Sequence, residues 1–209
     1  MEGSEYFIYL CTKSKNAAMK FGVVIFPGSN CDHDMIYALE SVMGHEVVQL
    51  WHKDSSIPHL DAIALPGGFT YGDYLRCGAI ARYSPIMKEV VNFANQGRYV
   101  FGVCNGFQIL CESGLLPGAL LHNSNQKFIC RNQYILADNQ KNAFTAHAGV
   151  KPLNIPIAHG EGRFFAPDNM LKEIEDNGQV LFRYCDSKGR ITDEANPNGS
   201  VNNIAGICN

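Results

Sequence analysis

The chain has 209 residues, a formal net charge of −3, and 46% hydrophobic residues. That is enough apolar material for the core of one domain, and the weakly acidic balance speaks against a nucleic-acid or membrane-surface binder. No run reaches the roughly eighteen consecutive apolar residues of a membrane-spanning helix, so neither nucleic acid nor membrane is expected as a partner.

Residues 1–18, "MEGSEYFIYLCTKSKNAA", read as a disordered N-terminal extension. The apolar part, Tyr6 to Cys11, is short and lacks a basic leader, which makes it a poor signal peptide. A single domain is expected from 19 to 209. "FGVVIF" (Phe21 to Phe26) is a continuous apolar strand stopping at Pro27-Gly28. Asn30 or Asp32 can then cap a helix whose apolar face holds Ile36, Leu39 and Met43, closed by Gly44. His45 to Leu50 and Ala62 to Leu65 read as further strands, the latter running into Pro66-Gly67-Gly68. Pro85 suits the first turn of a helix to about Gln96, with Gly97 closing it. Tyr99 to Val103 is the next strand, and Phe107, Leu110 and Cys111 follow at helical spacing. Strands that are apolar throughout, in β-α-β-α order, imply an α/β fold with a mostly parallel sheet and helices on both faces.

After about Pro117 the pattern changes. Gln126 to Leu136 reads as a long strand, with "ADNQKN" as a hairpin turn. "IPIAHGEGRFF" (Ile155 to Phe165) has a glycine-rich polar centre. A short helix, Asp168 to Asp176, precedes the strand Gln179 to Cys185, and a Pro-Asn-Gly turn at 197–199 leads into "NIAGICN".

The eight cysteines never form Cys-x-x-Cys and never cluster with histidine. They are read as reduced cytosolic thiols, mostly small core residues, with no metal site. Only Cys104 has a setting for chemistry. In "GVCNG" it sits on a strand-to-helix turn in the Gly-x-nucleophile-x-Gly form of a nucleophile elbow. Small flanking residues leave the sulfur exposed, and the N–H of Asn105 points where an oxyanion would develop. The helix N-terminus is expected to favour thiolate over thiol. "LPGGF" (Leu65 to Phe69) also ends a strand, so in a parallel sheet it faces the same edge. Gly68 is assigned there as the second oxyanion donor.

"PGG" on one strand end and "GxCxGxQ" on a later one resemble class I glutamine amidotransferases. "VVIFPGSNCDHDMIYAL", "PGGFTYGDYLRCGAIARYSPIM", "NSNQKFICR", "IAHGEGRFF" and "NPNGSVNNIAGICN" narrow the resemblance to the glutaminase subunits of phosphoribosylformylglycinamidine synthase, over about Met19 to Asn209. The resemblance implies a flavodoxin-like three-layer fold and a cytoplasmic enzyme of purine biosynthesis. It implies that Cys104 attacks the side-chain amide of glutamine, giving a thioester and ammonia, with Gly68 and Asn105 holding the oxyanion. Gln108 matches a glutamine-contacting position, and Asn125 and Phe128 fall in the segment that holds the ends of glutamine. The implied partners are a synthetase subunit and a small accessory subunit. The implied chain itself carries no cofactor and no metal, with ATP and Mg expected on the synthetase.

The chain departs from the family in one respect. Family members carry a catalytic histidine and glutamate in a "PHPE" motif beyond "NNIAGICN", and His-Pro-Glu occurs nowhere among the 209 residues. The domain is therefore expected to lack its C-terminal segment. A free thiol of pKa about 8.5 is only about 3% thiolate at pH 7, so a base matters. His159 and Glu161 in "HGEGR", followed by Arg163, have the same His-x-Glu spacing, and in a strand the two would share a face. They are read first as a substrate-facing, interface or solvated loop. The other histidines are read as unpartnered surface or structural groups. Tyr71 to Gly78, "YGDYLRCG", is open to two readings, a docking loop for the partner or a helix entry. Two further functions stay open: a redox-sensing or chaperone-like protein with an elbow cysteine, and a non-catalytic subunit.

Overall fold

A computed structural model describes residues 18–209, so the expectation for the N-terminal extension falls, except at Ala18, outside the described residues. The chain divides into two compact units between Leu115 and Leu116.

In the first unit, strands β1 (Lys20–Ile25), β2 (Glu46–Trp51), β3 (Ala62–Leu65) and β4 (Tyr99–Gly102) form one sheet in the order β2-β1-β3-β4, every pair parallel. All four residues of β3 are buried, as expected of a strand covered on both sides. On one face Phe21, Val23, Ala62 and Ala64 form a cluster with Leu39, joined by Met35 and Ile36 of helix α1 (Asp32–Tyr37). Period-two alternation sends Ile63 and Leu65 to the other face. There helix α3 (Asn105–Glu112) seats Gly106 against Leu65, so closely that any Cβ on Gly106 would overlap the Leu65 carbonyl. Helix α2 (Pro85–Asn95) starts on its proline as expected and buries Ile86, Met87, Val90 and Phe93. The result is the flavodoxin-like layering.

The second unit is antiparallel. Strand β5 (Ala119–Leu121) pairs with β8 (Arg163–Phe165). Strands β6 (Ile129–Ala137), β7 (Leu153–His159), β9 (Val180–Cys185) and β10 (Ile204–Ile207) form a sheet in the order β10-β9-β6-β7. Helix α4 (Asp168–Asp176) is tied to β9 through Arg183, whose guanidinium pairs with Glu175 at 2.6 Å and with Asp138 at 3.0 Å.

Several expectations are corrected. The first helix is capped by Cys31, not by Asn30 or Asp32, and no side chain caps it. A π-type turn over Ala38–Val42 follows α1, and Met43 is 42% exposed; the wider turn rotates it off the apolar face. "ADNQKN" is not a tight hairpin turn, because β6 and β7 are joined by residues 138–152. The cysteines are mostly not core: of the seven described, only Cys185 is buried. Among the described residues no helix is long and apolar enough to cross a membrane, and no three His, Cys, Asp or Glu side chains cluster to hold a metal.

Candidate active site

Strands β3 and β4 end side by side, Leu65 opposite Gly102, so the loops after them leave the same sheet edge. Val103 N–H donates to Leu65 O at 3.1 Å, and the chain then turns sharply. Cys104 has φ 55° and ψ −112°, a conformation costing on the order of 1–3 kcal/mol for a residue with a side chain. Two close approaches hold it. A Cβ on Gly102 would lie 2.5 Å from the Gly106 backbone, and one on Gly106 would meet Leu65. The glycines either side of "VCN" are therefore steric requirements of the elbow. Asn105 is the first residue of α3, so its N–H has no partner within the helix.

The Gly67-Gly68 loop reaches the same sulfur. Gly68 has φ +124°, open to glycine and strained for other residues. The loop after β1 braces it: Cys31 N–H donates to Gly67 O (3.4 Å), Phe69 N–H to Gly28 O (2.9 Å), and Tyr71 N–H to Pro27 O (2.7 Å). The backbone N–H groups of both Gly68 and Asn105 favour the charged form of the Cys104 sulfur. Two backbone N–H groups from separate loops thus act on one elbow cysteine.

Beyond Gly68 the loop is not a simple helix entry. Tyr71, Gly72, Asp73 and Leu75 all have positive φ. The Tyr71 hydroxyl is hydrogen-bonded to His52 Nδ1 (2.7 Å) and Ser84 Oγ (2.8 Å), which anchors the turn and gives His52 a partner that its sequence position did not suggest. Asn105, 0% exposed, accepts from Thr70 N–H at 3.2 Å through Oδ1. Its Nδ2 donates to Gln108 Oε1 (2.8 Å) and Asp73 Oδ1 (3.3 Å).

The expected thiolate is not what this environment favours. Burial pushes the Cys104 thiol above its ordinary value, outweighing the Asn105 and Gly68 N–H groups, which pull it down; Asp73 pushes the same way as burial. Cys104 is reachable by solvent at the elbow, but dense protein surrounds the sulfur on its other sides. Cys31 borders the same spot, its sulfur 3.6 Å and the Cys104 Cβ 3.2 Å from where a Cβ on Gly67 would lie. The Cys31 thiol is also raised, first by burial and then by Cys104. No histidine of this unit is among the groups acting on the Cys104 sulfur. A raised thiol pKa makes thiolate appear only as pH rises past the ordinary thiol range. Iodoacetamide alkylation of Cys104 in this chain, followed by peptide mapping, is therefore expected to keep accelerating above about pH 8.5. A rate already flat at about pH 7 would contradict the burial effect.

The remaining expected site residues lie in the second unit. Asn125 Oδ1 accepts from Lys127 N–H at 3.0 Å, and Phe128 is 58% exposed beside Gly160. His159 and Glu161 do not form a couple resembling the family's pair. Strand β7 ends at His159, so Glu161 lies in the following loop, where same-face alternation no longer applies. Glu161 pairs with His122 at 3.2 Å, and His159 Nδ1 bonds Asn123 Oδ1 at 3.0 Å. Asn123 Nδ2 donates to the carbonyls of Lys127 and His159, which fixes Oδ1 as the acceptor and so places the proton on His159 Nδ1. His159 Nε2 is buried with no partner, and burial lowers the imidazole's pKa. Arg163 Nε donates to His122 O at 3.0 Å. The turn at Pro197–Gly199 joins the cluster, with Asn198 Nδ2 donating to Gly162 O at 2.7 Å. Three separated sequence blocks thus meet around Asn123, the first residue of the segment expected to hold the ends of glutamine, although no contact of its side chain is expected from the sequence. The same holds for Asp73 in the Tyr71–Gly78 loop, for Thr70 and for the Asn105 side chain. Their signal, a lone buried amide or turn residue, exists only in three dimensions.

Residues 18–209 match the model of the CobB/CobQ-like glutamine amidotransferase domain. The chain is 56% identical over 194 residues to phosphoribosylformylglycinamidine synthase subunit PurQ of Chlorobaculum parvum, covering 92% of this chain and 77% of that protein. It is 52% identical to the subunit of the same name from Salinibacter ruber, covering 91% and 81%. In structure it is similar to a chain of PurLQS from Thermotoga maritima, with TM-score 0.78, 39% identity, and 92% and 82% coverage. A glutamine amidotransferase from Thermotoga maritima, 16% identical with TM-score 0.50 over 73% of this chain and 65% of its own, shares the fold. With the family match spanning every described residue and the relatives spanning nine-tenths of its length, the chain belongs to the CobB/CobQ-like glutamine amidotransferase domain family, among its phosphoribosylformylglycinamidine synthase subunits.

Proposed function

We propose that this chain is the glutaminase subunit of phosphoribosylformylglycinamidine synthase, acting in the cytoplasm in purine biosynthesis. The observation that carries the reading is an elbow cysteine and a glycine turn leaving the same sheet edge, with the backbone N–H groups of Gly68 and Asn105 both favouring the charged form of its sulfur. Cys104 Sγ attacks the side-chain carboxamide carbon of glutamine. The carbonyl oxygen becomes an oxyanion, which the two N–H groups hold. The oxyanion then collapses, the C–N bond breaks, and the thiol proton leaves with the nitrogen as ammonia. Water attacks the resulting thioester, releasing glutamate and restoring the thiol. In this assignment Gln108, Asn125 and Phe128 contact glutamine, and the loop of His159, Glu161 and Arg163 borders substrate or partner.

Ammonia passes to a synthetase subunit, which uses ATP and Mg to convert formylglycinamide ribonucleotide to the amidine. A small accessory subunit completes the complex. The thiol chemistry assigned to this chain requires no cofactor of its own. Tyr74 and Leu75, 73% and 92% exposed on the turn after Gly68, suit a docking contact with the synthetase. The redox-sensor reading loses support because burial raises both Cys31 and Cys104, whereas readily oxidised cysteines are low-pKa thiolates.

A glutamine-analogue chloromethyl ketone tests the reading, because its carbonyl uses the oxyanion donors while a simple alkylator does not. In the complex it is expected to label Cys104 ahead of the exposed Cys130, and glutamine is expected to protect Cys104. Preferential labelling of Cys77 or Cys130, or no protection, would remove Cys104 from the reaction.

A further inference from the structure

The side chain of Asn105 stands apart from the backbone role assigned to that residue. It is fully buried, and its bonds reach into the strained turn that follows Gly68 as well as along its own helix. The carboxamide orientation follows from the partners. A backbone N–H at Thr70 can only donate, so Oδ1 faces it, and Nδ2 must then face Asp73 Oδ1 and Gln108 Oε1.

We propose that the Asn105 side chain is a positioning residue for glutamine hydrolysis, clamping the turn behind Gly68 to the elbow so that the two oxyanion donors stay at a fixed separation. The inference rests on the assignment of Gly68 and Asn105 as those donors. One donor belongs to α3 and the other to the β3 loop, and the two elements are not continuous in sequence. Backbone donors stabilise a developing charge only when their positions are set beforehand. The turn from Tyr71 to Leu75 holds four positive-φ residues, so its geometry depends on surrounding contacts. On the far side Tyr71 is held by His52 and Ser84, and at the base Gly67 and Phe69 are held by the β1 loop. On the side facing the nucleophile, Asn105 bonds the turn at Thr70 and at Asp73, with Gln108 fixing the carboxamide from the helix. The clamp therefore acts where a shift of the turn changes the gap between Gly68 N–H and Asn105 N–H.

The test measures glutaminase turnover, KM for glutamine, Tm and the iodoacetamide rate at Cys104 for Asn105→Ala in the complex. Alkylation displaces iodide from a saturated carbon and forms no oxyanion, so its limiting rate at high pH, where the thiol is fully ionised, does not need the donors. That limiting rate is the one compared, because at lower pH both N–H groups also favour the thiolate. Asn105→Ala is expected to lower kcat by about 10- to 10²-fold, less than loss of a donor outright, with KM shifted by no more than about threefold and alkylation preserved. Parallel loss of turnover, alkylation and Tm would mean general disruption and would overturn the proposal; so would unchanged turnover. Combining Asn105→Ala with Gly68→Ala separates the two readings. If the clamp acts through the Gly68 donor, Asn105→Ala costs less in the Gly68→Ala background than alone. Full additivity overturns the clamp while leaving the donor assignment in place. An unimpaired Gly68→Ala enzyme instead overturns the donor assignment itself.

Discussion

A version that continues past Asn209 through the family's Pro-His-Pro-Glu motif is expected to turn over glutamine about 10²- to 10⁴-fold faster than the 209 residues alone, the usual worth of a positioned general base. The expectation follows from the state of the nucleophile. Burial holds Cys104 as a thiol, and neither backbone N–H can accept its proton. The rival base, His159, is present with or without such a segment. Its Nδ1 is committed to Asn123, and Glu161 is paired with His122, so the arrangement lacks the carboxylate-oriented histidine the reaction calls for. The comparison is four-way: chains with and without the segment, each with and without His159→Ala, with circular dichroism and Tm as folding controls. Brisk turnover in the 209-residue chain that disappears on His159→Ala would make His159 the base. Activity that appears only with the segment, and survives His159→Ala, would place the base in the motif.

Gly68→Val in an active complex is expected to lower kcat by about 10²- to 10³-fold, the cost of losing one oxyanion donor. A Cβ at position 68 would collide with Asn30 N and lie 3.0 Å from Gly28 O, both backbone atoms of the loop that braces it. The φ of +124° adds strain for any side chain. The clash is with backbone on both contacts, so a side chain at 68 is expected to shift the loop and its N–H. Tm and the limiting high-pH rate of iodoacetamide labelling at Cys104 serve as controls, since neither depends on an oxyanion or on the thiolate fraction that the Gly68 N–H also affects. Unchanged turnover in a folded Gly68→Val enzyme would remove Gly68 from the reaction.

The parallel half of the fold was legible because its signals are local. Apolar runs such as Phe21 to Phe26 and Ala62 to Leu65, short and bounded by turn residues, read as strands buried on both sides, and Pro85 opened its helix where expected. The elbow was legible for the same reason. Gly102, Cys104 and Gly106 are close in sequence, and the steric demands of a sharp turn act over that range. The antiparallel half was less so, because its pairings set β6 against both β7 and β9, and the chain between β6 and β7 is too long for turn chemistry to dictate register. The thiol state of Cys104 also escaped the sequence reading. A helix N-terminus is visible in a sequence, whereas the burial that outweighs it depends on how much protein surrounds the sulfur.

What the amino-acid order determined by itself is the elbow cysteine, the two glycine-bounded loops at one sheet edge, and the family to which they belong. The tertiary structure decided which groups meet. It set Asn105 between Thr70, Asp73 and Gln108, coupled His159 to Asn123, and gave Glu161 to His122. A glycine's freedom or a strand's apolar run is a property of a few adjacent residues. A hydrogen-bond partner 35 or 36 positions away is chosen only by the packing that brings two segments together, and a spacing such as His-x-Glu cannot report it.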